Sequence, residues 1–236
     1  MVIAYIPARG GSKRIPNKNI KKLGGKPIIG HVIGNVRQLD FISEVYVSTD
    51  NKEIQEISES FGAKTFELRP DELSDDNSGF IDLIHKDIPR YVDAAGGDSE
   101  ILFVMATAAL VPPSLLQDAY SAYLKELPEV LMGCVGYPVS PFLAMVQKED
   151  GYWNPMFPEK VLYNTQDLPK ALVDSGLFYF FNQNTLKKYR SVKLVDRLYA
   201  YEVNHKYAVD VDTLQDWSVL EEKYEGLKNR RSCRNS

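Results

Sequence analysis

The sequence predicts an α/β fold, a Rossmann-like and mostly parallel sheet with helices on both faces. Short apolar runs typical of buried strands alternate along the chain with segments of helical periodicity. The 236 residues suit one substantial domain that buries a core without disulfides. In such a fold ligands collect at the carboxyl ends of the strands. We therefore expect the functional residues in the loops that follow strands.

The first part of the chain reads as a β-α-β-α-β unit. Strands are predicted at residues 2–6, 44–48 and 64–68, and helices at 27–39 and from about 50 to 61. Pro27 suits the start of the first helix. Asp50 is placed to cap the second helix, and Gly62 to end it.

The α/β alternation continues to the end of the chain with one interruption. Further strands are predicted at 101–105, 130–135, 176–181 and 198–203, and helices at 80–92, 113–124, 183–188 and 213–224. Between residues 137 and 171 prolines and aromatic residues replace this periodicity, which indicates a small inserted lobe. We predict a single domain over 1–226 and a disordered basic tail over 227–236.

Composition excludes several classes of function. The net charge is −4, with 44% hydrophobic and 25% charged residues, so neither a nucleic-acid nor a membrane surface is expected. The two cysteines form no disulfide framework or zinc motif. The N-terminus lacks the features of a secretory signal, and no window approaches the length of a membrane span. A cytoplasmic location is therefore expected.

The segment IAYIPARGGSKRIPNKN joins an apolar strand to a glycine-containing cationic loop. Paired glycines allow backbone N–H groups to approach phosphate oxygens, and Arg9, Lys13, Arg14 and Lys18 can neutralise their charge. The segment matches neither the Walker A pattern nor the dinucleotide fingerprint. It predicts a polyphosphate site of another kind, whereas a bare cationic loop in solvent is the alternative.

The residues RGGSKRIPNKN, followed by KKLGGKPII, resemble the signature of cytidylyltransferases that activate nonulosonic acids. These form the CMP-sialic acid synthetase (acylneuraminate cytidylyltransferase) family, with CMP-Kdo synthetases as more distant relatives. The resemblance implies the fold of nucleotide-diphospho-sugar transferases and makes Arg9, Lys13 and Lys18 catalytic. It implies nucleotide contacts from Ala8, Arg9, Gly10, Gly11, Ser12, Lys13 and Asn19.

Asp210 and Asp212 form a second candidate motif. Alternation along an extended segment places both carboxylates on one face and Val211 on the other. Such a pair suits Mg²⁺, which prefers oxygen ligands and often bridges phosphates. The resemblance likewise makes these aspartates the metal ligands, while a cap of the following helix is the alternative for Asp212.

Two further segments are candidates for nucleotide contacts. RPDELSDDNS is similar to a family loop, RPxxLxxDxS, that closes over the nucleotide, which implies contacts from Arg69 and Ser78. MATAAL matches family patterns such as QPTSPL at Thr107. Met105 stands where an amide or aromatic side chain is expected, and cannot supply the hydrogen bonds of glutamine.

The segment NTQDLPKALVDSGLFY is similar to the SQDLPxxxxDxGxFY stretch of pseudaminic acid cytidylyltransferases. Sialic acid enzymes instead have an NGAIY-like sequence at its end. The similarity implies that Gln166, Asp167 and Asp174 bind hydroxyl or acylamino groups of the sugar, and that Met105 contributes to this site. Phe178 and Tyr179 are either core residues or a wall of the sugar pocket.

Together these motifs predict a magnesium-dependent nucleotidyl transfer. The anomeric hydroxyl of a nine-carbon 2-keto sugar acid would attack the α-phosphorus of CTP and release pyrophosphate. The family resemblance also implies a homodimer whose lobe completes the neighbouring sugar site. CMP-sialic acid, CMP-legionaminic acid or CMP-Kdo synthesis remain open, as do transfer to an unrelated sugar phosphate and a non-catalytic nucleotide-binding protein.

Overall fold

A computed structural model describes residues 1–74 and 79–232. The strands are β1 (Val2–Pro7), β2 (Lys22–Leu23), β3 (Lys26–Pro27), β4 (Ile42–Ser48), β5 (Glu100–Val104), β6 (Val130–Gly136), β7 (Met145–Gln147), β8 (Trp153–Pro155), β9 (Leu172–Asn182) and β10 (Leu198–Glu202). The helices are α1 (Ile28–Val36), α2 (Lys52–Ser60), α3 (Phe80–Asp82), α4 (Ile88–Ala94), α5 (Pro113–Glu126), α6 (Gln183–Leu186) and α7 (Leu214–Ser232).

Six strands form the central sheet in the order β10-β6-β9-β5-β1-β4. β1 runs parallel to both β4 and β5, and β10 runs parallel to β6. Only β9 is antiparallel among these strands, pairing with β5 on one side and β6 on the other. The predicted mostly parallel sheet is confirmed. Because the chain leaves β1 for β4 on one side and reaches β5 on the other, a crevice opens between β1 and β5.

The sheet is buried on both faces. Ala4 and Ile6 of β1 belong to the cluster covered by α1, α2, α5 and α7, whereas Ile3 and Tyr5 face the cluster under α3 and α4. This alternation follows from the two-residue period of a strand. The predicted helices on both faces are present.

The predicted helix over 80–92 contains a wider turn. Its middle section, Leu83–Asp87, has π-helical hydrogen bonding between α3 and α4. Pro89, two residues after this section, has no N–H to continue the α-helical ladder. The turn places the buried carboxylate of Asp87 within hydrogen-bond distance of the Tyr5 and Ser48 hydroxyls, beneath the end of β1.

Two local predictions are wrong. Residues 64–68 form no strand, since only Lys64 bridges Tyr46 and the Gln55 side chain hydrogen-bonds the segment at Thr65 and Phe66 instead. The cap of α2 is Asn51, whose Oδ1 accepts from the Ile54 N–H at 3.1 Å.

The end of the chain also differs from its prediction. α7 continues to Ser232, so residues 228–232 are helical where disorder was predicted. Tyr224 and Leu227 pack against the core and hold the helix beyond its predicted end. Residues 233–236 lie outside the described residues.

The predicted lobe, residues 137–171, contributes no strand to the central sheet. It contains the antiparallel hairpin of β7 and β8 and three short 3₁₀ turns. No helix in residues 1–74 or 79–232 has both the length and the apolar character that crossing a membrane requires.

Candidate active site

A cavity of about 580 Å³ lies at the carboxyl ends of β1 and β5. We call it the first cavity. Its described lining contains five cationic side chains, Arg9, Lys13, Arg14, Lys18 and Arg69, and a single acidic one, Asp212. The other lining residues are Pro7, Ser12, Asn19, Leu73, Gly79, Phe80, Leu83, Phe103, Met105, Ala106 and Thr107. The described lining of the crevice between β1 and β5 is therefore strongly positive, although the whole chain has a net charge of −4.

The loop of residues 8–19, predicted to bind phosphate and here called the phosphate loop, is fixed by hydrogen bonds within itself and to neighbouring segments. Asn19 Nδ2 donates to the Arg9 carbonyl at 2.8 Å, and the Gly10 N–H donates to Asp50 Oδ1 at 2.7 Å. The Ala8 N–H donates to the Ser48 carbonyl at 2.8 Å. The loop is thus held in shape before any ligand arrives.

These bonds change the roles that the sequence suggested for several loop residues. Ala8 is fully buried, and its N–H, like that of Gly10, is bound to protein. Ala8, Gly10 and Gly11 do not line the first cavity, whereas Ser12 and Asn19 do. Asp50, predicted as a helix cap, instead orients the loop.

The two loop glycines meet different surroundings. A Cβ at Gly10 would lie 2.8 Å from the Asn51 Cβ, while one at Gly11 would have open space around it. Gly10 therefore permits the close approach of the loop to the start of α2. Gly11 has no such packing requirement.

The Asp212 carboxylate is paired with two cations of the phosphate loop. Its Oδ1 lies 3.0 Å from Arg14 Nη2 and 3.7 Å from Lys18 Nζ. Lys18 also donates to the Val211 carbonyl at 2.6 Å, and burial lowers its pKa although Asp212 and Asp210 oppose that shift. These contacts join the loop to the segment before α7.

Asp210 lies beside this cluster but does not line the cavity. Desolvation, followed by repulsion from Asp212, raises the pKa of its carboxyl group. Val211 is buried between the two aspartates, as the predicted alternation requires. In residues 1–74 and 79–232 no group of three or more His, Cys, Asp or Glu side chains could hold a metal ion by itself.

The remaining predicted nucleotide residues reach the first cavity from other elements. Arg69 is 5% exposed and donates from Nε to Ser74 Oγ at 3.1 Å. Its buried Nη1 has no hydrogen-bond partner among the described residues. Thr107 and Met105 line the cavity just after β5. Ser78 lies outside the described residues.

Apart from Met105, the sequence did not reveal the apolar wall of this cavity. Leu73, Phe80, Leu83, Phe103 and Met105 form it. Phe80 and Phe103 pack with ring centroids 4.1 Å apart. Their helical and strand periodicity predicted burial, but only the fold shows that this burial borders a cavity. Arg14, one of the cations expected to neutralise phosphate charge, also lines this cavity.

The predicted sugar residues are spread over different places. Asp174 and Tyr179 line a second cavity of about 290 Å³, which shares Phe80 with the first. Phe178 is fully buried in the core, so its assignment to the sugar site is corrected. Gln166 and Asp167 are exposed on a 3₁₀ turn of the lobe and line neither cavity.

Comparison with known proteins identifies the class to which this fold and cationic crevice belong. The model of the cytidylyltransferase family matches residues 3–235. The chain belongs to this family, which makes it a CTP-dependent nucleotidyltransferase and confirms the predicted family and reaction class.

Individual relatives refine this picture. The chain is 31% identical over 219 residues to a pseudaminic acid cytidylyltransferase of Campylobacter jejuni, covering 91% of this chain and 92% of that protein. It is 32% identical over 224 residues to N-acylneuraminate cytidylyltransferase B of Danio rerio, spanning 93% of this chain and 50% of that relative. A solved CMP-2-keto-3-deoxy-manno-octonic acid synthetase in complex with CTP shares the fold, with a TM-score of 0.69, 18% identity and coverage of 95% and 98%.

Proposed function

We propose that this chain transfers CMP from CTP to a nonulosonic acid, with pseudaminic acid as the substrate, and releases pyrophosphate. The five cationic side chains around the first cavity carry the proposal. A triphosphate is the ligand that such a lining suits, because its charge is spread over many oxygens. The apolar wall formed by Leu73, Phe80 and Phe103 then leaves room for the nucleoside.

In the proposed reaction the anomeric oxygen of the sugar acid forms a bond to the α-phosphorus. The bond from the α-phosphorus to its bridging oxygen breaks, and pyrophosphate leaves with that electron pair while the hydroxyl proton passes to solvent. Arg9, Lys13 and Lys18 would stabilise charge on the phosphoryl oxygens. Ser12 and Arg69 would help to position the nucleotide, with Thr107 at the opposite edge. The preformed loop supplies this geometry without rearrangement.

We also propose that Asp210 and Asp212 hold Mg²⁺. Their two carboxylates are hard oxygen ligands of the type this ion prefers, and substrate phosphates and water would complete its coordination. Burial, followed by repulsion from Asp212, raises the pKa of Asp210, and a bound cation would relieve that repulsion. When bound, the ion would neutralise phosphate charge.

The choice of pseudaminic acid is supported by similarity along nearly the whole chain. The Campylobacter jejuni relative is named for that sugar and is covered over 92% of its length. The second cavity adjoins the first at Phe80, which places a second binding space beside the nucleotide. Sialic acid, legionaminic acid and Kdo are the competing substrates.

We further propose a homodimer formed through the lobe. Of the twenty large apolar side chains that are exposed in the described chain, eleven lie in residues 137–171. Such a concentration is typical of an interaction surface. A dimer would also bring the lobe residues Gln166 and Asp167 close to a sugar site of the partner.

The absence of a disulfide framework in the two-cysteine sequence supports the proposed cytoplasmic location.

Pyrophosphate release from CTP tests the proposed function directly. Purified protein with Mg²⁺ would be given pseudaminic acid, N-acetylneuraminic acid, legionaminic acid and Kdo in parallel. We expect the highest kcat/KM with pseudaminic acid. Preference for another acid would correct the substrate, and CTP binding without release from any acid would contradict a catalytic function.

A further inference from the structure

The second cavity contains charged groups that the proposed mechanism does not use. Its lining is Phe80, Ile81, Asp174, Tyr179, Arg190, Ser191, Val192 and Lys193. The Phe80 ring lies with its centroid 4.1 Å from that of Phe103 in the first cavity and 4.8 Å from that of Tyr179 in the second. Phe80 therefore separates the two cavities, and a ligand that passes its edge would reach both.

Asp174 is already satisfied by protein groups. Its Oδ1 accepts from the Gly176 N–H at 2.9 Å, the Tyr179 hydroxyl lies 2.8 Å from both carboxylate oxygens, and Lys193 Nζ lies 2.9 Å from Oδ2. Burial and then Asp174 raise the pKa of Tyr179, so its hydroxyl stays protonated as a donor. Asp174 therefore acts by holding Tyr179 and Lys193 in place, rather than as an open acceptor for sugar hydroxyls.

Arg190 differs from these residues. Its guanidinium makes no hydrogen bond, ion pair or ring contact with any residue that the structure describes, although it lines the second cavity. Because Lys193 and Asp174 neutralise each other, Arg190 is the one charge in the described lining that no described residue compensates. An arginine in this setting is suited to bind oxygen acceptors through its planar set of N–H donors.

The other described lining residues are Ser191 and three apolar side chains. Phe80, Ile81 and Val192 offer carbon surface in the same cavity as the Arg190 guanidinium. A group that satisfies both surfaces has a carbonyl oxygen for arginine and a methyl for the apolar wall, which is the chemistry of an acylamino substituent. We propose that Arg190 is a specificity-determining residue that donates to the acylamino carbonyl of the sugar acid. This inference rests on the proposed function and adds to it the group that is recognised.

Arg190→Gln tests this assignment with two acids in the pyrophosphate-release assay. Pseudaminic acid carries acylamino groups, whereas Kdo has the same type of carboxylate and no acylamino group. We expect kcat/KM for pseudaminic acid to fall about tenfold to a hundredfold, the size of a lost charge-assisted hydrogen bond. The fall should come mainly from KM for the sugar, with KM for CTP and turnover of Kdo unchanged.

Two further variants sharpen the result. Arg190→Lys keeps the charge and should recover part of the lost kcat/KM. Arg197→Gln removes an exposed arginine of the same segment that instead donates to the Glu126 carbonyl at 3.1 Å and lines neither cavity, so it should leave the sugar KM unchanged.

Several outcomes would overturn the proposal. An equal fall with pseudaminic acid and Kdo would assign Arg190 to the shared carboxylate, and no fall with either would remove it from the sugar site. Both results leave the proposed function intact, because the wild-type protein is still active. Wild-type protein that releases pyrophosphate with neither acid would overturn both proposals.

Discussion

The phosphate loop and the lobe differ in how much of their structure this chain provides by itself. Asn19 bonds to the Arg9 carbonyl within the loop, while Gly10 and Lys18 join the loop to Asp50 and to the Val211 carbonyl. The lobe instead exposes apolar side chains such as Leu162, at 95%, and Trp153, at 59%. The loop is therefore held in shape within one chain, whereas the lobe presents an apolar surface that the proposed homodimer would bury.

This difference indicates that the loop and the lobe have different roles in the proposed active site. Charge stabilisation requires donors fixed before the reaction, because rearrangement during the reaction costs free energy. The loop satisfies that requirement inside one chain. The lobe has its exposed apolar surface outside the central sheet, where burial by a second copy would stabilise it. The two regions should therefore respond differently to substitution.

The largest effect is expected in the phosphate loop, from Lys13→Ala. Lys13 is exposed and lines the first cavity, so its removal should lower kcat/KM by about 10²- to 10³-fold with little change in stability. Steady-state pyrophosphate release and thermal unfolding would measure the two quantities. Lys22→Ala removes an exposed lysine of β2 outside the cavity and is the matched control. Similar kinetics for the two variants would show that the loop is only a solvated surface.

The next largest effect is expected in the lobe, from Leu162→Glu. A charge placed in an apolar interface should weaken a dimer by about 2 kcal/mol or more. Sedimentation velocity should then show monomers, while CTP binding by the loop persists. Leu127→Glu is the control, since Leu127 is 66% exposed at the end of α5 and outside the lobe. A wild-type protein that is monomeric at micromolar concentration would contradict the proposed role of the lobe.

A smaller effect separates the two loop glycines. Gly10→Ala would force its Cβ to 2.8 Å from the Asn51 Cβ and should cost about 1–3 kcal/mol of unfolding free energy. Gly11→Ala meets open space and should be neutral or stabilising by less than about 1 kcal/mol. Urea unfolding measures both. Equal stabilities would mean that contact with α2 does not fix the loop.

The smallest stability effect is expected for Asp210→Asn. This substitution should weaken Mg²⁺ binding but slightly raise the stability of the metal-free protein. The variant should need about tenfold more Mg²⁺ for half-maximal activity, which a magnesium titration would show. The raised pKa of Asp210 means that its stability contribution is present at low pH and lost as pH rises through that pKa. In magnesium-free buffer at pH 8 the variant should therefore melt slightly higher than wild type, and the difference should shrink towards pH 4. An unchanged magnesium titration would count against the metal assignment.

Local sequence patterns predicted much of the sheet and of the cationic site. Strand positions such as Val2–Pro7 follow from continuous apolar runs, and the loop's cations follow from its composition. The failed predictions depended on competing local bonds. At residues 64–68 the Gln55 side chain donates hydrogen bonds to Thr65 and Phe66, in place of the pairing that a strand would make. At α2 the cap is Asn51, because Asp50 accepts a hydrogen bond from Gly10. Side chains of similar hydrogen-bonding capacity compete at such positions, and the hydrophobic periodicity of the sequence does not predict which of them forms the bond.

By itself the sequence determined the family, the α/β class and the residue types of the phosphate loop, because these depend on order along the chain. Tertiary structure decided which groups meet. It placed Arg14 against Asp212, turned the Gly10 N–H towards Asp50, buried Phe178 and left Arg190 beside a cavity without a partner among the described residues. These outcomes depend on contacts between residues far apart in sequence, which only packing of the sheet and its helices brings together.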